Sequence, residues 1–177
     1  MKRLFILISL LFVCASVGLT GCQDASGYTD IGSLNSFSFS FTWSVYGISS
    51  YDSTTGRLVK VKTSDATNPE DYITTYYLTD AEKQKIYDLI AGLDIASYPD
   101  SYDPQNGAVH TEPSISLILS VKTDTMEKTV TTANIADIYG ADSSEGQRFL
   151  QVCQELLQIL TATEEWQALP EYDYFYY

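Results

Sequence analysis

Few side chains in this sequence can do covalent or metal chemistry: a single histidine, His110, and three cysteines, Cys14, Cys22 and Cys153. Nucleophilic catalysis by serine or cysteine needs a base beside the nucleophile, and His110 is the one imidazole able to serve. It sits in a polar stretch (NGAVHTEP), and neither a Gly-x-Ser-x-Gly elbow nor a Ser-x-x-Lys pair occurs, so a solvated loop histidine is expected. Cys153 falls on an apolar stripe at helical spacing, where a thiol behaves as a small hydrophobe. One histidine and one such cysteine cannot build a zinc site. Calcium takes oxygen ligands on loops, and two clusters offer them: Asp100, Asp103 and Asn106 before Gly107, and Asp65, Asn68, Glu70 and Asp71. Neither follows the alternating spacing of an EF-hand loop, so side-chain-capped turns are the preferred reading and calcium the weaker one. Paired carboxylates could run glycoside hydrolysis, but among 23 acids no spacing along the chain singles out a pair. There is no phosphate loop, dinucleotide fingerprint or basic aromatic patch.

Cys22 is different. Lys2 and Arg3 precede an apolar run over residues 4–19, interrupted only by Ser9, Ser16 and Gly18. A short basic start followed by an apolar run is the layout of a secretory signal, and the run is shorter than the roughly 20 residues a spanning helix needs. It ends in Leu19-Thr20-Gly21-Cys22. Small residues at 20 and 21 open the backbone to a peptidase, and the thiol behind them can take a diacylglyceryl thioether. This tetrad resembles the lipobox of bacterial lipoproteins. The resemblance implies removal of residues 1–21 and a lipid on Cys22. It places the rest of the chain, anchored, on the extracytoplasmic face of the cell membrane. The segments FSFSFTWSVYGISSYDS and TATEEWQALPEY are also similar to those of uncharacterised lipoproteins of gut-dwelling Gram-positive bacteria, which implies a habitat and no reaction.

Without the signal, 156 residues remain, enough for one domain with one core. They carry 8 basic side chains against 23 acidic ones, a formal charge of −15. Such a surface repels nucleic acid and anionic headgroups, and mainly keeps a tethered protein soluble. With Cys14 removed and Cys22 lipidated, Cys153 has no partner for a disulfide, so stability rests on packing.

The elements that would position these residues read as follows. Residues 22–36 are polar and aperiodic, a lipidated tether; residues 37–177 form a single domain. Phe37, Phe39, Phe41, Trp43 and Val45 alternate with Ser38, Ser40, Thr42 and Ser44, a half-buried strand. Residues 51–56 read as a turn and 58–63 as the partner strand of a hairpin; 72–78 is a third strand. Thr79-Asp80-Ala81-Glu82 is a capping box for a helix over 80–91, with Ile86, Leu89, Ile90 and Leu93 inward and Gly92 as its stop. A polar loop spans 94–113. A strand over 114–122 follows, with Ile118 suggesting cover on both faces, then a return over 126–132. Ser144-Glu145-Gly146-Gln147 caps a second helix to Thr161, striped by Phe149, Leu150, Cys153, Leu156, Leu157 and Leu160. Thr161 and Glu164 cap one further turn. The expected fold is α+β: a two-layer antiparallel sheet with two helices on one face, with a ββα duplication as a topological option.

Tyrosine is abundant, 14 residues, and clusters at Tyr72, Tyr76, Tyr77, Tyr98, Tyr102 and in the tail Tyr172, Tyr174, Phe175, Tyr176, Tyr177. Exposed rings stack on sugars and anchor protein interfaces; alternatively they line the edges of a small sheet. Three functional readings follow. A non-enzymatic module binding a glycan or protein partner leads, and calls for exposed aromatics, with the tail residues as candidates. The alternatives are a structural or regulatory envelope protein with a flat acidic surface, and a hydrolase with two acids converging in a cleft. No cofactor is expected beyond the diacylglycerol on Cys22.

Overall fold

The computed structural model describes residues 31–44, 48–60, 69–107, 114–136, 138 and 140–171. Six strands form one antiparallel sheet in the order β4-β3-β2-β1-β5-β6: β1 Ser38–Ser44, β2 Ile48–Asp52, β3 Arg57–Lys60, β4 Ile73–Thr75, β5 Ile115–Lys122 and β6 Glu127–Ile135. Two main helices, α1 (Asp80–Ala91) and α2 (Ser144–Thr161), with the short α3 (Glu164–Gln167), complete the second layer. This is the α+β sandwich expected from the pattern of elements.

The alternation of β1 governs the core. Phe39, Phe41 and Trp43 are buried, and register sets Phe41 beside Tyr51 on β2 and Leu119 on β5. Leu58, Leu117, Val121, Val130 and Thr132 extend the same face, which α1 covers with Ile86 and Ile90 and α2 with Phe149, Cys153, Leu156 and Leu160. Aromatic rings run through it. Phe37 stacks on Phe39 and meets Tyr87 edge-on, while Trp43 bridges Phe41 and Trp166 at 5.4 and 5.5 Å.

Several boundaries differ from the reading of the sequence. The partner of β1 is β2, which lies between β1 and the strand at Arg57–Lys60; the turn shrinks to Ser53–Gly56. The third strand contracts to Ile73–Thr75, because Tyr72 closes a 3-10 turn from Pro69. Among the described residues four strands precede α1 and two precede α2, so the halves do not share a ββα string. The caps of α2 and α3 fall one and two residues from the expected positions. Ser143 accepts from the Gly146 amide and Thr163 from the Trp166 amide. A Cβ at Gly146 would meet the Pro104 carbonyl at 2.8 Å, so the first turn of α2 needs glycine there. The domain also begins earlier than Phe37. Ile31 is buried in the core, which moves residues 31–36 from tether to fold.

The α1 capping box is present as read: Glu82 N–H donates to Thr79 Oγ1, and the Glu82 carboxylate accepts from the Thr79 amide at 2.8 Å. Tyr76 and Thr79 also donate their hydroxyls to that carboxylate, at 2.7 and 2.6 Å. Partial burial alone would raise the Glu82 carboxyl; these donors outweigh it and hold it below its ordinary 4.5. A carboxyl whose folded pKa is depressed contributes stability that is full above its unfolded pKa and is lost as pH falls through the folded value. The urea midpoint should therefore drop on acidification below pH 4.5, and Glu82→Gln should flatten that part of the profile. An unchanged profile in the variant would show that the box does not depend on charge. Among the described residues no helix is long and apolar enough to cross a membrane.

Candidate functional site

Helices cover one face of the sheet; among the described residues no helix covers the other face over β1, β2, β5 and β6, while on β3 Val59 points to that side and is buried. The residues of β1 that point there are Ser38, Ser40, Thr42 and Ser44. Register places Ser40 between Asp52 and Ser120, Thr42 between Ser50 and Ile118, and Ser44 between Ile48 and Ser116. On β6, Thr131 lies opposite Ile118 and Thr129 opposite Ser120, whose hydroxyls are 2.9 Å apart. The hydroxyls of Ser40, Thr42, Ser44 and Ser50 make no hydrogen bond within the described residues. Ile118 is 37% exposed and Ile48 is 59% exposed, so among the described residues nothing gives Ile118 the full cover expected on that side. At the start of β1 the face dips into a shallow polar depression of about 250 Å³ edged by Ser38, Asp52, Thr54, Lys122 and Glu127. Lys122 and Glu127 pair at 2.9 Å, both well exposed.

This is a flat array of donors and acceptors at the interstrand spacing of about 4.8 Å, with two apolar points. Six strands and seven residues span roughly 500 Å², approaching the area of about 800 Å² that each partner contributes to an ordinary protein interface. In the sequence the array was visible only as the wet side of alternating strands. Nothing there distinguished a binding face from a solvated one.

The residues singled out by type fall elsewhere. Cys153 is buried among the α2 core residues, and desolvation pushes its thiol far above the usual range, so it is neutral and shielded. Asp100 accepts from Lys128 Nζ at 2.6 Å and Asp103 from the Gln105 amide at 2.9 Å. Asn106 and Gly107 take positive φ, 51° and 68°, making that loop a side-chain-capped turn. Glu70 and Asp71 are exposed on the turn before β4. Among the described residues no three histidine, cysteine, aspartate or glutamate side chains gather as metal ligands. A carboxylate groove between α1 and α3 holds Glu82, Glu164 and Glu165, but Glu82 is held ionised by its donors, opposite to what a general acid requires. Cys22, Asp65, Asn68, His110 and the tail Tyr172, Tyr174, Phe175, Tyr176 and Tyr177 lie outside the described residues.

The remaining tyrosines are largely structural. Tyr98 is 2% exposed and packs with Tyr102 and Phe149. Tyr51 is buried, its hydroxyl donating to the Tyr76 carbonyl, and desolvation raises it to about 12. Tyr76 is spent on Glu82 and Tyr87 on the Gly32 carbonyl. Of the described aromatic side chains only Tyr77, at 69%, stands well out of the surface. It lies against the β2–β3 turn, where a Cβ on Gly56 (φ 69°) would come within 2.9 Å of its ring.

The fold defines a two-layer α+β domain with one polar sheet surface that no helix covers among the described residues. No known protein-family model matches the chain, and no curated protein matches it.

Proposed function

We propose that the protein is a non-enzymatic binding module, anchored through a lipid on Cys22 to the extracytoplasmic face of the cell membrane, whose contact surface is the open sheet face. The observation that carries the contact surface is the set of hydroxyls of Ser40, Thr42, Ser44 and Ser50, without a hydrogen-bond partner among the described residues, beside exposed Ile48 and Ile118. Small-molecule sites are concave and mostly apolar, whereas this face is flat and polar. A glycan platform relies on stacked rings, and the outward positions of β1, β2 and β5 carry none. A flat hydroxyl array with apolar points fits a protein partner, in which polar complementarity surrounds a few apolar contacts. The membrane end of the proposal rests on the resemblance of Leu19-Thr20-Gly21-Cys22 to a lipobox.

The test uses the mature chain, residues 22–177, kept lipid-free by Cys22→Ser. It is screened against purified envelope proteins and envelope glycans beside a form carrying Thr42→Lys and Ile118→Lys. Binding to a protein that the double variant loses at least tenfold, with an unchanged circular dichroism spectrum, is the expected result. Glycan binding indifferent to the double variant but lost on removal of residues 172–177 would move the site to the tail and overturn the assignment.

A further inference from the structure

The chain enters the sheet at one end and leaves it at the other. Residues 31–36 form a strap fastened to the β5–β6 turn. The Ile31 carbonyl accepts from the Thr123 hydroxyl at 2.6 Å, and Asp124 Oδ1 accepts from the Ser33 amide at 3.1 Å and the Ser36 hydroxyl at 2.8 Å. Helix α1 holds the other side, Tyr87 donating to the Gly32 carbonyl at 2.7 Å. Gly32 has φ 98°, and a Cβ there would fall 2.6 Å from Asp124 Oδ1, so the strap lies tight on the turn. From the strap β1 starts at Ser38, paired with Lys122, and ends at Ser44, paired with Ser116 and Ile48. At that second end Trp43 packs on Trp166, and Lys60, only 3% exposed, reaches the Leu169 carbonyl and Glu171. The seven residues of β1 separate the two ends by about 20 Å.

We infer that the strap orients the domain on the membrane. The end carrying the β2–β3 and β5–β6 turns faces the lipid surface, and the end carrying Ile48, Trp166 and Glu171 points away from it. This rests on the lipid anchor at Cys22 proposed above. Eight residues lie between Cys22 and Ile31, a reach of about 30 Å at full extension. Attachment at the strap keeps that end, on average, nearer the bilayer than the end about 20 Å away. A partner arriving from outside the cell meets Ile48 and the far half of the open face first.

The experiment uses the full lipidated protein on vesicles of phosphatidylcholine and phosphatidylglycerol containing headgroup-spin-labelled lipid. A fluorophore is placed by maleimide at Thr54→Cys, near the strap end, or at Ala168→Cys, at the far end. Cys22 is capped as a thioether and Cys153 is buried, so the introduced thiol is the one that reacts. The fluorophore at 54 should be several-fold more quenched than that at 168, and Asp124→Ala should narrow the difference by loosening the strap. Equal or reversed quenching on vesicle-bound protein overturns the orientation, and a difference unchanged by Asp124→Ala contradicts the strap as its cause. Protein that does not stay on the vesicles overturns the anchor itself, a separate and recognisable failure.

Discussion

Cys22→Ala should abolish incorporation of labelled palmitate completely and leave the chain as the longer, uncut precursor. In the proposed lipoprotein, the Cys22 thiol is the atom that takes the diacylglyceryl group, and processing follows lipid attachment. Each buried methylene contributes about 0.8 kcal/mol to membrane residence, one chain alone gives marginal binding, and two or more hold stably. The effect is accordingly all-or-none. In detergent phase partitioning, mature protein with Cys22 intact should enter the detergent phase. Residues 22–177 carrying Cys22→Ser, which lack the lipid, should stay in the aqueous phase. Palmitate on the Cys22→Ala protein would contradict the assignment of the anchor.

Phe41→Ala should cost about 3–5 kcal/mol, the range for deleting a fully buried aromatic ring. Phe41 has no exposed surface, lies on the central strand of the sheet, and stacks on Trp43 at 5.4 Å, which passes the contact on to Trp166 and α3. Its neighbours across the sheet, Tyr51 and Leu119, are themselves buried and paired on both sides, so the site cannot collapse to fill the void. A domain of this size has a total stability of about 5–15 kcal/mol, and Cys153 offers no disulfide to offset the loss. With m near 2 kcal/mol/M the urea midpoint should fall by about 2 M. Ser40→Ala, one residue away on the open face, should change stability by less than about 0.5 kcal/mol. Equal losses at the two positions would mean that the open face is not open.

What could be read from the sequence followed the strength of each local signal. The alternation of Phe37, Phe39, Phe41 and Trp43 and the capping box of α1 are strong, short-range patterns, and both stand where read; Val45 lies outside the described residues. Of strand β2 (ISSYD), Tyr51 and Asp52 read as the start of the turn over 51–56, and residues 48–50 carry no alternation that marks a strand. Its strand character lies in Tyr51, whose inward place between Phe41 and Leu58 is set by register across neighbouring strands. Ser143 and Ser144 are both competent caps, and only the three-dimensional approach of Gly146 to Pro104 decides between them. Ile31 sits in a polar stretch that reads as linker, and the groups that hold it, Thr123 and Asp124, are some 90 residues away. The candidate surface was the least legible part. A wet strand face and a binding face share the same serines and threonines, and only the topology shows that nothing among the helices covers them. The tyrosines are ambiguous for a related reason: the polar handle that suits an interface also satisfies a carbonyl or carboxylate inside a fold, as Tyr51, Tyr76 and Tyr87 do.

The most direct test of the open face as a contact surface is photo-crosslinking in the cell, with a photoreactive residue placed in the full-length protein at Thr42 or Ser120 on the open face, or at Gln151 on the outer side of α2. A discrete adduct from Thr42 and Ser120, absent from Gln151 and removed by Ile118→Lys, is the result expected. An adduct from Gln151 alone, or none from the open face of correctly anchored protein, would contradict the account.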